Sequence, residues 1–145
     1  MIVCPNEKIT FMNIPKTGTR SVLAYFQENM ENVQQHGHRV NPPRQFLTDE
    51  YFIFATIRNP YDRACSHYWS MCRRGGDRYG YLRAMKQMKL DNSLKSYLIV
   101  TMDDIIGRSS GKQKKTGHPF NPQMVYIKGN NVDKLIHIEL SLIHI

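Results

Sequence analysis

Residues 51–58, YFIFATIR, are largely aromatic or β-branched and are apolar on both sides of a two-residue alternation. A strand of that kind cannot keep one face in water, so the pattern predicts a central parallel strand covered on both faces. Parallel neighbours are joined by crossovers, usually helices. The rest of the chain supplies the pieces. An apolar run at 8–14 (KITFMNI) reads as a strand, and 19–30 reads as a helix with Val22, Leu23, Phe26 and Met30 at helical spacing. Residues 61–73 and 93–106 read as further helices, and VDKLIHIEL as a late strand. VQQHGHRV reads as a polar strand, and NPPRQFL as a turn into a short helix beginning near Pro43. The expected fold class is α/β, with a mostly parallel central sheet flanked by helices and ligands at the carboxyl ends of its strands.

A chain of 145 residues is expected to form one domain, spanning 1–145. Lys and Arg number 20 against 12 acids, a formal charge of +8, which favours a polyanionic partner. Cys4, Cys65 and Cys72 form no CxxC pair and are odd in number, so they read as free thiols rather than as zinc ligands or a disulfide framework. No run of 18 apolar residues and no leader pattern occurs, so the chain reads as soluble, without a membrane segment. The tetrapeptide LIHI occurs at 135–138 and again at 142–145, where the chain stops inside an apolar run. The expectation is a domain incomplete at its C-terminus.

Two segments carry chemistry. In IPKTGTRSV, residues 14–22, a strand passes into a helix through Lys16, Thr17, Gly18, Thr19, Arg20 and Ser21. A helix N-terminus presents N–H groups and partial positive charge, so this loop suits an anion. The nucleoside-triphosphatase pattern GxxxxGK[ST] is absent, because Lys16 precedes Gly18 instead of following it. An alternative needs no ligand: Pro15 for rigidity, Gly18 for a bend and Thr19 as the helix N-cap. In the second segment, TIRNPYDRACSHYW, the buried strand ends in Arg58 and a helix starts at Pro60, with Ser66 two turns along it. A planar guanidinium and a hydroxyl aimed at one point suit a second phosphate.

Together the two segments resemble the sulfotransferases that use 3′-phosphoadenosine 5′-phosphosulfate (PAPS). PKTGT is similar to that family's 5′-phosphosulfate loop, and RNPYDRACSHY to its 3′-phosphate motif. FNPQMVYIKGNNVDKLIHIEL is similar, more weakly, to the late segment of the glycan-type members, where a Gln precedes a strand ending in Glu and Leu. The resemblance implies a P-loop-like sulfotransferase fold, here partial, and PAPS as donor co-substrate with no metal. It implies that Lys16 binds the phosphosulfate bridge, that the backbone from Thr17 to Ser21 cradles the 5′ group, and that Arg58 and Ser66 hold the 3′-phosphate. Arg20 departs from the hydroxyl residue often found there, and would either add a contact to the donor or narrow the pocket.

An acceptor hydroxyl attacks poorly unless its proton is removed, which calls for a base. His36 and His38 in QHGHR share one face if the segment is a strand, and each can titrate near neutral pH. The stretch resembles the His-Gly-His of uronyl 2-O-sulfotransferases, which implies His38 as the catalytic base and His36 as its assistant. The implied partner is a hydroxyl-bearing acceptor, a glycan, with no specific nucleic acid. The reading from another class is a non-catalytic module whose basic loops at 73–78 and 108–117 bind nucleic acid or an anionic glycan. Tyr61, Tyr68 and Trp69 are expected in the core and Glu139 at a strand end. A cytoplasmic location is expected, or the Golgi lumen for a chain with a missing N-terminal anchor.

Overall fold

A computed structural model of the chain describes residues 1–37, 43–74, 81–109 and 123–138. His38, the glycine-rich stretch from 75, the basic loop at 110–122, Glu139 and the second LIHI lie outside the described residues. Two compact units emerge, Met1–Asn59 with Lys115–Ile145, and Pro60–Lys114.

The first unit is built on a five-stranded sheet. Its strands are β1 (Ile2–Cys4), β2 (Ile9–Met12), β3 (Gln34–Gln35), β4 (Phe52–Arg58) and β5 (Lys134–Ile138), in the order β3-β1-β2-β4-β5. Pairing is parallel through β2, β4 and β5 but antiparallel between β1 and each of its neighbours. The sheet is thus mixed, and the expectation of a mostly parallel sheet holds for the strands around β4 alone. The antiparallel half arises because β1 is a short apolar arm folded back by the turn at Pro5–Lys8, where Lys8 N–H donates to the Pro5 carbonyl at 3.4 Å and Lys8 itself has φ 54°. Alternation then sorts side chains onto two faces. Met1, Val3, Met12, Ile53 and Ala55 pack with Tyr126 and Ile127 of the short helix α5 (Met124–Ile127). Ile2, Cys4, Phe11 and Phe54 pack on the other face under Phe26 of α1 (Thr19–Asn29). Phe54 lies 5.0 Å from Phe11 and 6.2 Å from Phe26 between ring centroids, so one aromatic cluster seats the helix.

Registers are set by side chains as well as by backbone. Ile53 N–H donates to the Asp133 carboxylate at 2.6 Å, and Asp133 N–H donates to the Ile53 carbonyl at 2.7 Å. That bracket starts the β4–β5 pairing, which runs from Phe54–Lys134 to Arg58–Ile138.

Among the described residues the second unit holds three helices, α2 (Pro60–Arg74), α3 (Tyr81–Gln87) and α4 (Leu94–Ser109). Tyr68 and Met71 of α2, Met85 of α3, and Tyr97 and Val100 of α4 are buried. The Tyr68 ring lies tilted at 5.4 Å from that of Tyr97 and its hydroxyl donates to the Asn92 carbonyl, while His67 Nδ1 meets the Tyr97 hydroxyl. Tyr61 and Trp69, however, are 80% and 53% exposed. Successive helix residues lie about 100° apart, so Trp69 cannot share the inward face that Tyr68 occupies. Before α4, Asp91 accepts from the Ser93 hydroxyl at 2.6 Å, and the Ser93 oxygen in turn accepts from Ser96 N–H at 3.2 Å, which caps the helix start. The hydroxyls of Ser93 and Ser96, both donating to Asp91, hold its carboxyl below the usual range. No helix among the described residues is long and apolar enough to cross a membrane.

Candidate functional site

The carboxyl edge of the sheet collects the candidate residues of the first unit. β2 ends at Met12, and residues 13–18 carry the chain to α1. Gly18, at φ 83°, is the N-cap of that helix; Thr19, the expected cap, is its first helical residue. The hydroxyls of this loop are spent on holding its shape. Thr17 is fully buried and donates to the Ile14 carbonyl at 2.9 Å, while Thr19 donates to Asn13 Oδ1 at 2.5 Å. From β4, Thr56 donates to the Thr17 carbonyl at 2.6 Å. Thr17 and Thr19 therefore brace the loop internally, and Thr56 ties it to the sheet. The amide N–H of Thr17, not its hydroxyl or its carbonyl, is what remains to meet a ligand.

What this fixed loop presents is positive. Ser21 and Val22 N–H donate to the Gly18 carbonyl at 3.0 and 3.3 Å, which leaves the Thr19 and Arg20 amides ahead of the first intrahelical acceptor, and no acid stands in the first turn to neutralise them. Lys16 is half-buried, and Arg58 is 8% exposed at the end of β4. Arg58 Nη1 donates to the Lys16 carbonyl at 3.3 Å, so the two motifs meet in space. Burial, followed by the charges of Arg20 and Arg58, pushes the Lys16 ammonium below its usual pKa. Lys16 also sits at φ 69°, a left-handed conformation that costs a non-glycine residue about 1–2 kcal/mol. Strain, desolvation and like charge converge on one residue. A ligand bearing two or more negative charges would offset the electrostatic part of that cost.

Gly18 cannot be replaced cheaply. A Cβ there would stand 2.8 Å from Ile138 Cδ1 at a backbone angle that side chains rarely adopt. Gly18→Ala is expected to cost about 1–2 kcal/mol in urea denaturation, mainly through its φ, since the Ile138 methyl can yield.

His36 leaves β3 at the same edge. Ile2 pairs with both Gln35 and Phe11, which puts His36, Met1 and Met12 in the next row outward. The His36 amide donates to the Met1 carbonyl at 2.8 Å, and its ring lies 5.5 Å from that of Phe46. Two strand spacings, roughly 10 Å, separate β3 from β2. β3 ends at Gln35 and Gly37 is left-handed at φ 67°, while the strand face expected for His36 and His38 lies outside the described residues together with His38. Ser66 lies half-buried on α2, in the other unit.

Two contributors have roles that a reading of sequence does not reveal. Thr56 looks like a β-branched strand residue, and only its position opposite Thr17 reveals its hold on the loop. Gln123 is separated from Arg58 by 65 residues, yet its side-chain amide bonds to both backbone groups of Arg58.

The family model described as the sulfotransferase family matches residues 1–114, which include the Lys16 loop, His36, Arg58 and Ser66. No curated protein and no solved structure matches the chain significantly.

Proposed function

The chain belongs to the sulfotransferase family, whose chemistry is sulfuryl transfer, and from that premise we propose that its donor is PAPS and its acceptor a hydroxyl on a carbohydrate. The observation that carries this reading is the grouping of Lys16, Arg20 and Arg58 at the N-terminus of α1, with Lys16 held strained and against its own charge. Such a site favours a ligand with more than one anionic group. The donor offers three, a sulfate and two phosphates.

In this reading the loop is used in a P-loop-like way. The backbone from Thr17 to Ser21 holds the 5′-phosphate, and Lys16 faces the oxygen bridging phosphorus and sulfur. Arg58, with Ser66, takes the 3′-phosphate, and Arg20 adds a charge-assisted contact to the donor. His38 accepts the acceptor's proton as the new oxygen–sulfur bond forms and the bond from sulfur to the bridging oxygen breaks. Lys16 counters the charge left on that oxygen, so the products are a sulfate ester and 3′-phosphoadenosine 5′-phosphate. His36 assists by orienting the acceptor. Placement and electrostatics supply the acceleration, since the protein forms no bond to the group that moves.

The test is transfer of labelled sulfate from PAPS to a panel of oligosaccharides. His38→Ala is expected to keep donor affinity and lose about a hundredfold in turnover, the low end of what a positioned base contributes. Full turnover in that variant would remove His38 from the mechanism, and a wild-type protein that labels no hydroxyl acceptor would refute the proposed reaction.

A further inference from the structure

Alternate residues of a parallel strand turn their N–H and C=O groups toward opposite neighbours. In β4 the assignment can be followed residue by residue. Phe52 N–H donates to the Lys8 carbonyl at 2.8 Å, just before β2, whereas both backbone groups of Ile53 are taken by Asp133, just before β5. Even-numbered residues thus face β2, and Arg58 is one of them. But β2 pairs no further than Met12 opposite Ala55, so the backbone of Arg58 faces a place that the neighbouring strand has already left.

Gln123 fills that place. Arg58 N–H donates to Gln123 Oε1 at 2.9 Å, and Gln123 Nε2 donates to the Arg58 carbonyl at 2.7 Å, which copies with one side-chain amide the two bonds a continuing strand would have made. Gln123 is itself held firmly. It is the N-cap residue of α5, whose Tyr126 and Ile127 are 1% and 6% exposed in the core beneath the sheet. From the same strand end, the Arg58 side chain reaches the Lys16 carbonyl. The geometry points to Gln123 as a positioning residue that fixes the end of β4, so that the Arg58 guanidinium is preorganised for the 3′-phosphate and for its bond to the Lys16 loop. This inference rests on the donor reading above.

The physical case is one of preorganisation. A strand end with an unbonded backbone frays, and an arginine on a frayed end must be ordered again when its ligand binds. A rigid clasp removes that expense before the ligand arrives. The effect should therefore be confined to the contact that Arg58 makes, leaving ligands without a 3′-phosphate indifferent.

Gln123→Met keeps the length of the side chain and removes both hydrogen-bonding atoms. Two readouts on the full chain decide the matter. The first is backbone amide exchange by NMR, in which the Arg58 amide is expected to exchange at least tenfold faster in the variant while the Ile53 amide, held by Asp133 in the same strand, stays unchanged and reports an intact fold. The second is affinity for 3′-phosphoadenosine 5′-phosphate and for AMP, in which the first should fall about tenfold and the second should hold. Unchanged exchange at Arg58 would overturn the clasp whatever the nucleotides do. Faster exchange with undiminished selectivity for the 3′-phosphate would overturn the positioning role. A wild-type protein that ignores the 3′-phosphate refutes the donor reading and this role with it, while the exchange result still judges the clasp.

Discussion

Lys16→Gly is expected to yield a protein at least as resistant to urea as the wild type, yet with turnover reduced by about a hundredfold to a thousandfold. The stability half follows from the backbone. At φ 69° a lysine bears about 1–2 kcal/mol that glycine does not, against up to about 1 kcal/mol of extra chain entropy that glycine loses on folding. The substitution also removes a half-buried cation from beside Arg20 and Arg58. The functional half follows because this charge faces the bridging oxygen in the proposed reaction, where a preorganised donor typically contributes a hundredfold or more. A residue whose removal stabilises the fold and abolishes the reaction is retained for the reaction. If Lys16→Gly were instead clearly less stable than the wild type, the loop would be a structural turn and Lys16 a part of it.

The same residue predicts a pH effect. Its folded pKa lies below its ordinary value, so the unfolded chain binds the proton more tightly, and the penalty of folding around the charge is full at neutral pH. Wild-type stability should therefore rise relative to Lys16→Gly as pH climbs through the folded pKa toward 10.5. Parallel curves over that window would contradict the electrostatic account.

Arg58→Ala is expected to weaken binding of 3′-phosphoadenosine 5′-phosphate by about a hundredfold to a thousandfold, the usual loss when one partner of a desolvated charge pair is truncated. AMP, which lacks the 3′-phosphate, should bind the variant nearly as well as the wild type. Arg58→Lys should fall between, since an ammonium keeps the charge without the planar fork of donors. Arg58 also bonds to the Lys16 carbonyl and depresses the Lys16 pKa, so the two sites are not independent. Double-mutant analysis of Lys16 and Arg58 should accordingly give a coupling energy of the order of 1 kcal/mol rather than simple addition.

How far a sequence can be read shows most clearly along β4. Its two-sided apolar pattern, its end at Arg58 and the stop at Asn59-Pro60 are all local signals, and the strand runs Phe52–Arg58 as those signals imply. Helices α1, α2 and α4 are legible for the same reason, being long enough for a periodic face. β1 and β3, with three and two residues, are too short to show any period, and their antiparallel direction is decided by pairing of Ile2 with Phe11 and Gln35. The mixed character of the sheet was hidden there. α3 and α5, of seven and four residues, escape for want of length.

The site divides in the same way. A Lys and Gly between strand and helix, and an Arg at the end of a buried strand, announce an anion because residue type and local placement suffice. The threonines announce less than they do, for Thr17 and Thr56 turn out to hold the loop from within. Gln123 enters the sequence only as the Gln of a late segment that resembles the glycan-type members, with no role attached. A neutral amide has value here only because β2 stops short of Arg58, and that is a property of the assembled sheet.

The central claim is that this edge of the sheet recognises a nucleotide through its two separate phosphates. Calorimetric titration of the chain with 3′-phosphoadenosine 5′-phosphate, beside AMP, tests it most directly. The account predicts one saturable site that prefers the bisphosphate and loses that preference in Arg58→Ala. Equal binding of both nucleotides, or binding of neither by a demonstrably folded chain, would contradict it.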